Sequence, residues 1–191
     1  MANVLSSTSS LPASSSSSLV RQAGLALAGS LVIAVGAHIA VPIPFTPVPM
    51  TLQTFAVILV GMVLGPLGGF SAALLYLLEG LSGAPVFSIH GPGGVLQLLG
   101  PSGGYLMSYP FAAAIAGTLF HHGKRAYLSG AIAGLAAICF TLTLGTLWFA
   151  FVTHFPAHAV WMGALAPFLP GETVKILAAA GIASALPSMR R

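Results

Sequence analysis

Residues 51–81 read Thr51-Leu-Gln-Thr-Phe-Ala-Val-Ile-Leu-Val-Gly-Met-Val-Leu-Gly-Pro-Leu-Gly-Gly-Phe-Ser-Ala-Ala-Leu-Leu-Tyr-Leu-Leu-Glu-Gly-Leu81. Glu79 is the single charged residue in this stretch. Crossing the hydrocarbon of a bilayer takes roughly 20 apolar residues, or about 17 at the short end. Gly65-Pro-Leu-Gly-Gly69 interrupts the run at its middle. Proline removes a backbone donor and restrains the residue before it, so one straight helix is not the expected outcome. The pattern predicts two short spanning segments, about Thr51–Leu64 and Phe70–Leu81, joined by a tight turn.

The rest of the chain agrees with a membrane reading. Of its 191 residues, 57% are hydrophobic and 4% charged, whereas soluble domains are about 25% charged. So few charges cannot solvate a surface, and lipid must cover much of it. Further apolar runs lie at about Leu19–Val41, Tyr105–Phe120 and Tyr127–Val152. A last one falls within Ala159–Leu186, interrupted by Pro167 and Pro170. The first ends in the Pro-rich turn Pro42-Ile-Pro-Phe-Thr-Pro-Val-Pro49. The expected fold is therefore all-α, a polytopic membrane protein with six transmembrane helices. Residues 1–18 are Ser-rich and too poor in apolar surface to order, so they are expected to be a disordered head before a membrane domain at 19–191. Cys139 sits in an apolar run and is expected to be buried and inert. Residues 82–103 are rich in Gly and Pro yet uncharged. Non-helical backbone near membrane depth needs protein or a cavity beside it, so this segment is expected to fold back as a lid or lining.

Most of the charges sort by side. With six spans, Arg21, Lys124, Arg125, Arg190 and Arg191 all fall on one side, and the opposite loops carry no Lys or Arg. The positive-inside rule then places both termini in the cytoplasm. Used up in this way, the basic residues leave no footprint for nucleic acid.

Glu79, Glu172 and Lys175 remain. A lysine at the bilayer centre costs about 2.5–3.5 kcal/mol on insertion scales. Glu172 and Lys175 are three apart and share a helix face. Pro170 suits a first helical position, and Glu172 then meets the positive end of the helix dipole. The pair either holds helices together or lines a solute cavity near the outer face; the break at Pro167 and Pro170 favours a cavity. There, Lys175 offers a cation and Glu172 an acceptor for N–H groups. Thr51, Gln53, Phe87, Ser102, Tyr105 and Glu79 lie near the same outer ends and are the further substrate-binding candidates. For Glu79, a water-exposed interfacial carboxylate is the competing reading.

Several chemistries are not expected. His154 and His158 are four apart, but Pro156 lies between them and no carboxylate adjoins, so no metal site is expected; His121 and His122 fare no better. No nucleophile–base pair marks an enzyme. Neither Lys124 nor Lys175 sits in a G-K-[ST] motif, so any ATP-driven step must come from a partner. A secondary transporter or channel for another small polar solute is the main alternative, and a structural scaffold is another. Ala23, Ala26, Ser30 and Ala34 form a small-residue stripe on the first span, suited to packing within the chain or to docking another membrane subunit.

Several motifs, in order, resemble one family. They are Val48-Pro-Met-Thr-Leu-Gln-Thr-Phe55, Gly61 to Gly69, Leu75-Tyr-Leu with Gly83-Ala-Pro-Val-Phe87, Gly100-Pro-Ser-Gly-Gly-Tyr105 and Pro170-Gly-Glu-Thr-Val-Lys175. Together, over about residues 20–188, they resemble the BioY family, the biotin-specific substrate-binding (S) components of energy-coupling factor transporters. The resemblance implies a six-helix fold in a bacterial plasma membrane, with biotin as the transported ligand and no cofactor. It implies a transmembrane coupling subunit (T component) and ABC ATPases as partners, the small-residue stripe meeting the coupling subunit. It also implies biotin contacts at Glu172 and Lys175. Glu172 stands where many members carry Asp.

Overall fold

The computed structural model describes residues 15–44 and 46–186, and these form a mostly helical protein. The expected disordered head falls largely on residues 1–14, outside the described residues, as do Arg190 and Arg191. Helix α1 (Ser15–His38) ends before the Pro-rich turn. Strands β1 (Ala40–Val41) and β2 (Met50–Thr51) pair antiparallel, with Ala40 opposite Thr51 and Val41 opposite Met50. This short ribbon closes the loop around the prolines and delivers the chain to α2 (Gln53–Leu81).

Helix α2 is a hairpin of two arms. Gly65 adopts φ 79° and ψ 179°, a conformation open in practice to glycine alone. Pro66 follows it, where a missing N–H and a fixed φ suit the start of a helix. The reversal is seen in the side chains: Gln53 Nε2 donates to Tyr76 Oη at 2.6 Å although the residues are 23 apart. In a straight helix they would be separated by roughly 35 Å. Gly61 and Gly69 let the arms and α4 close together. A Cβ on Gly69 would lie 2.7 Å from Gly61 Cα, and one on Gly61 would lie 2.2 Å from the Ala113 carbonyl oxygen. The turn is tighter than the sequence predicts, since the second arm starts at Pro66 rather than Phe70.

Beyond α2, a loop carrying the short helix α3 (Gly94–Leu99) leads to α4 (Gly103–Leu119). Helix α4 packs against both α2 and α5 (Ala126–Thr153). A four-residue helix, α6 (Ala157–Val160), widens into a π turn at Trp161–Leu165; after a break, α7 (Leu169–Ala185) begins with Pro170 in its first turn. The break expected near Pro167 and Pro170 is therefore present. Among the described residues, four helical stretches are long and apolar enough to cross a membrane: Ser18–His38, Gln53–Leu81, Ala126–Thr153 and Ala157–Ala185.

The core is a column of small and aromatic residues between α2, α4, α5 and α7, including Ala72, Ala73, Ala113, Ala116, Ala133, Ala137, Tyr76 and Phe149. Many large apolar side chains point outward instead, among them Leu67, Leu147, Phe151 and Val174. Such a surface fits lipid and not water. Cys139 lies on this outward face, contrary to its expected burial. In a membrane helix, an apolar run marks the lipid side as readily as the core.

The small-residue stripe splits between the inside and the outside. Ser30 and Ala34 are buried against α2 within the chain, next to Gly29, whose Cβ would meet Ala72 and Val60. These two pack within the chain, one of the two roles the stripe allowed. Ala23 is exposed and Ala26 partly so.

Candidate functional site

One end of the helix bundle holds a narrow cavity of about 40 Å³. Its walls come from the start of the first α2 arm, the 82–102 segment, the start of α4, the middle of α5 and the start of α7. These elements converge because α2 folds back at Gly65 and α7 restarts after the π turn. Both irregularities bring helix ends, with their unpaired backbone groups, to the same place.

Glu172 and Lys175 face this cavity with 4% and 7% of their surface exposed. Lys175 Nζ donates to Glu172 Oε1 at 2.7 Å and to Thr54 Oγ1 at 3.1 Å. Thr54 Oγ1 in turn donates to Glu172 Oε1 at 2.9 Å. The three groups form a closed ring, and both hydrogen bonds to Glu172 fall on Oε1. Among the described residues, Glu172 Oε2 is the one buried side-chain polar atom without a hydrogen-bond partner. Leaving a buried acceptor unpaired costs about 1–3 kcal/mol, and more for a charged group. Glu172 lines the cavity, and that oxygen has the capacity to accept one more N–H.

The other sequence candidates divide. Thr51, Gln53, Ser102 and Tyr105 line the same cavity as Glu172 and Lys175. Thr51 Oγ1 accepts from the Gln53 backbone N–H at 3.2 Å and so starts α2. Gln53 is held by its bond to Tyr76. Tyr105 Oη donates to the Ala164 carbonyl at 2.5 Å, tying α4 to the π turn, while its ring lies 6.2 Å from that of Phe168. Phe87 and Glu79 are not on the cavity wall. Phe87 lies edge-on to Tyr76 at 5.4 Å and covers Gly80, so it supports the wall from behind. Glu79 accepts a hydrogen bond from Ser30 Oγ, which links the second α2 arm to α1.

The structure adds residues that the sequence reading passed over, chiefly Thr54, Ser88, Gln97, Tyr109 and Phe168. Gln97 carried one signal, a lone amide in the apolar run Val95-Leu-Gln-Leu-Leu99. Thr54 carried none, since its partners are far along the chain. The 82–102 segment does line the cavity, one of the two roles its composition predicts. Ser88, Gln97 and Ser102 come from it, and Trp148 Nε1 on α5 donates to the Gly100 carbonyl at 2.9 Å, holding it down.

The BioY family pattern matches residues 7–191. The chain belongs to the BioY family. Among BioY relatives, the "Probable biotin transporter BioY" of Pyrococcus horikoshii is 43% identical over 152 residues, covering 80% of this chain and 87% of that protein. The "Biotin transporter BioY" of Thermotoga maritima is 37% identical over 159 residues, covering 82% and 90%. Among solved structures, one described as the S-component for biotin from an ECF-type ABC transporter superposes with a TM-score of 0.78. It is 26% identical and covers 88% of this chain and 91% of that one.

Proposed function

We propose that this chain is the membrane-embedded component that captures biotin for uptake, with transport energised by partner subunits. The observation that carries the reading is the unpartnered Glu172 Oε2 beside Lys175 on the cavity wall. Biotin's ureido ring presents N–H donors and a carbonyl side by side. One N–H meets Glu172 Oε2, and the carbonyl meets the Lys175 ammonium, whose bonds to Glu172 and Thr54 leave it a third donor. Tyr105, Tyr109 and Phe168 supply apolar surface for the fused rings. The chain binds and moves a solute and is not an enzyme.

The same reading orients the protein. Counting the two arms of α2 separately and adding α4 gives six spans. Arg21 and the pair Lys124 and Arg125 lie at the end opposite the cavity, which supports cytoplasmic termini and a cavity open to the outside. The 191 residues hold no phosphate-binding lysine motif, so an ATP-driven step falls to partners, and ABC ATPases acting through a transmembrane coupling subunit fit that role. The plasma membrane is the compartment that fits such an uptake role.

Equilibrium binding of labelled biotin to the purified protein in detergent tests this. Saturable binding, displaced by unlabelled biotin and not by other vitamins, is expected. Well-folded protein that binds no biotin, or binds another vitamin equally, overturns it.

A further inference from the structure

Glu172 Oε2 is a buried acceptor without a donor, and the same cavity is lined by an amide whose oxygen alone is seen in a hydrogen bond, that of Gln97. Gln97 is 3% exposed and lines the wall formed by the 82–102 segment. Its Oε1 accepts from the Gly93 backbone N–H at 3.1 Å, while its own backbone N–H donates to the Gly93 carbonyl at 3.2 Å. This reciprocal arrangement, in the manner of a capping box, fixes which side of the amide is oxygen. The NH2 group is thereby turned away from Gly93, and it has no acceptor among the described residues. Gly91 locks the plane: a Cβ there would lie 2.0 Å from Oε1 and 2.4 Å from Nε2. A side chain at position 91 would therefore push the Gln97 amide out of this position.

We propose that Gln97 reads the carboxylate of the solute. The inference rests on the biotin reading above and assigns the end which that reading leaves open. Once the ureido group occupies Glu172 and Lys175, the remaining strong acceptor on the ligand is its carboxylate. Gln97 offers two fixed N–H donors on the segment that lines the cavity. Ser88, also on that segment, accepts from the His90 backbone N–H through Oγ and keeps its hydroxyl proton for the ligand. Neutral N–H and O–H donors can hydrogen-bond a carboxylate, which is costly to bury without such partners.

The test compares biotin with biotinamide, the neutral carboxamide, by equilibrium binding to the purified full chain. Gln97→Glu is the informative variant. A glutamate still accepts from Gly93 N–H, so α3 stays capped, but the donor facing the ligand becomes an acceptor. The wild type is expected to prefer biotin. Gln97→Glu is expected to shift the biotin-to-biotinamide affinity ratio at least tenfold toward biotinamide, which can donate where biotin cannot. Gly91→Ala displaces only the end of a flexible side chain and is expected to shift the ratio in the same direction by a smaller factor. Equal weakening of both ligands, or an unchanged ratio in both variants, overturns the proposal while leaving the biotin reading intact. A wild type that binds neither ligand overturns both.

Discussion

Thr54 and Glu172 are 118 residues apart, yet the threonine hydroxyl donates to the glutamate's Oε1 at 2.9 Å. That bond joins the first arm of α2 to the start of α7 and decides which oxygen of Glu172 is consumed inside the protein. Thr54 is thus a positioning residue for the free oxygen. Thr54→Val keeps the shape and removes the bond. Hydrogen bonds to charged groups contribute about 1.5–3 kcal/mol, and every 1.4 kcal/mol is a tenfold change in affinity. Biotin affinity should fall roughly tenfold or more in Thr54→Val, and Thr54→Ser should restore most of it. Isothermal titration of the two variants measures this.

Glu172 and Lys175 separate stability from binding. Removing one partner of a buried pair strands the other charge, at a cost of about 3–5 kcal/mol in soluble proteins. Glu172→Gln and Lys175→Met should each lower the unfolding temperature. The double variant Glu172→Gln/Lys175→Met should recover most of that loss, because no lone charge remains, and should still bind no biotin. Thermal unfolding in detergent together with a binding assay gives both readings.

The hairpin within α2 depends on two glycines in different ways. Gly65 needs a backbone conformation that other residues avoid by about 1–3 kcal/mol. Gly61 needs the space that the Ala113 carbonyl occupies. Gly65→Ala should lower the unfolding temperature without altering biotin affinity in the folded fraction. Gly61→Ala pushes α2 and α4 apart and should be the more damaging of the two, with loss of both stability and affinity. Melting curves of the two variants, paired with titrations, distinguish the effects.

Glu79 supplies a negative control. It bonds to Ser30 and lies off the cavity wall. Glu79→Gln and Ser30→Ala should leave biotin affinity within about twofold of the parent, since neither side chain reaches the ligand. A tenfold change in either would bring Glu79 back into the site.

Much of this was legible in the sequence, for identifiable reasons. Glu172 and Lys175 stood out because charges are costly in an apolar run and a three-residue spacing puts them on one face. Pro66 and its glycines announced a turn, although only the backbone angles show that Gly65 alone makes it. Thr54 could not be found, because its role depends on a helix more than a hundred residues away. Phe87 and Glu79 were expected among the substrate-binding residues and lie off the cavity wall. Nearness to a helix end says nothing of rotation about the helix axis, which for Glu79 is fixed by its bond to Ser30 on α1, while Phe87 lies in the loop after α2, packed on Gly80. The same limit applied to Ser30 and Ala34, whose spacing allowed an inward or an outward face.

The central claim is that biotin binds through Glu172 and Lys175, and the most direct measurement is a biotin titration of the wild type beside the Glu172→Gln/Lys175→Met double variant at matched folded concentration. Saturable one-to-one binding by the wild type and none by a double variant of near-native stability is the predicted result. Undiminished binding by the double variant, or no binding by the folded wild type, would contradict it.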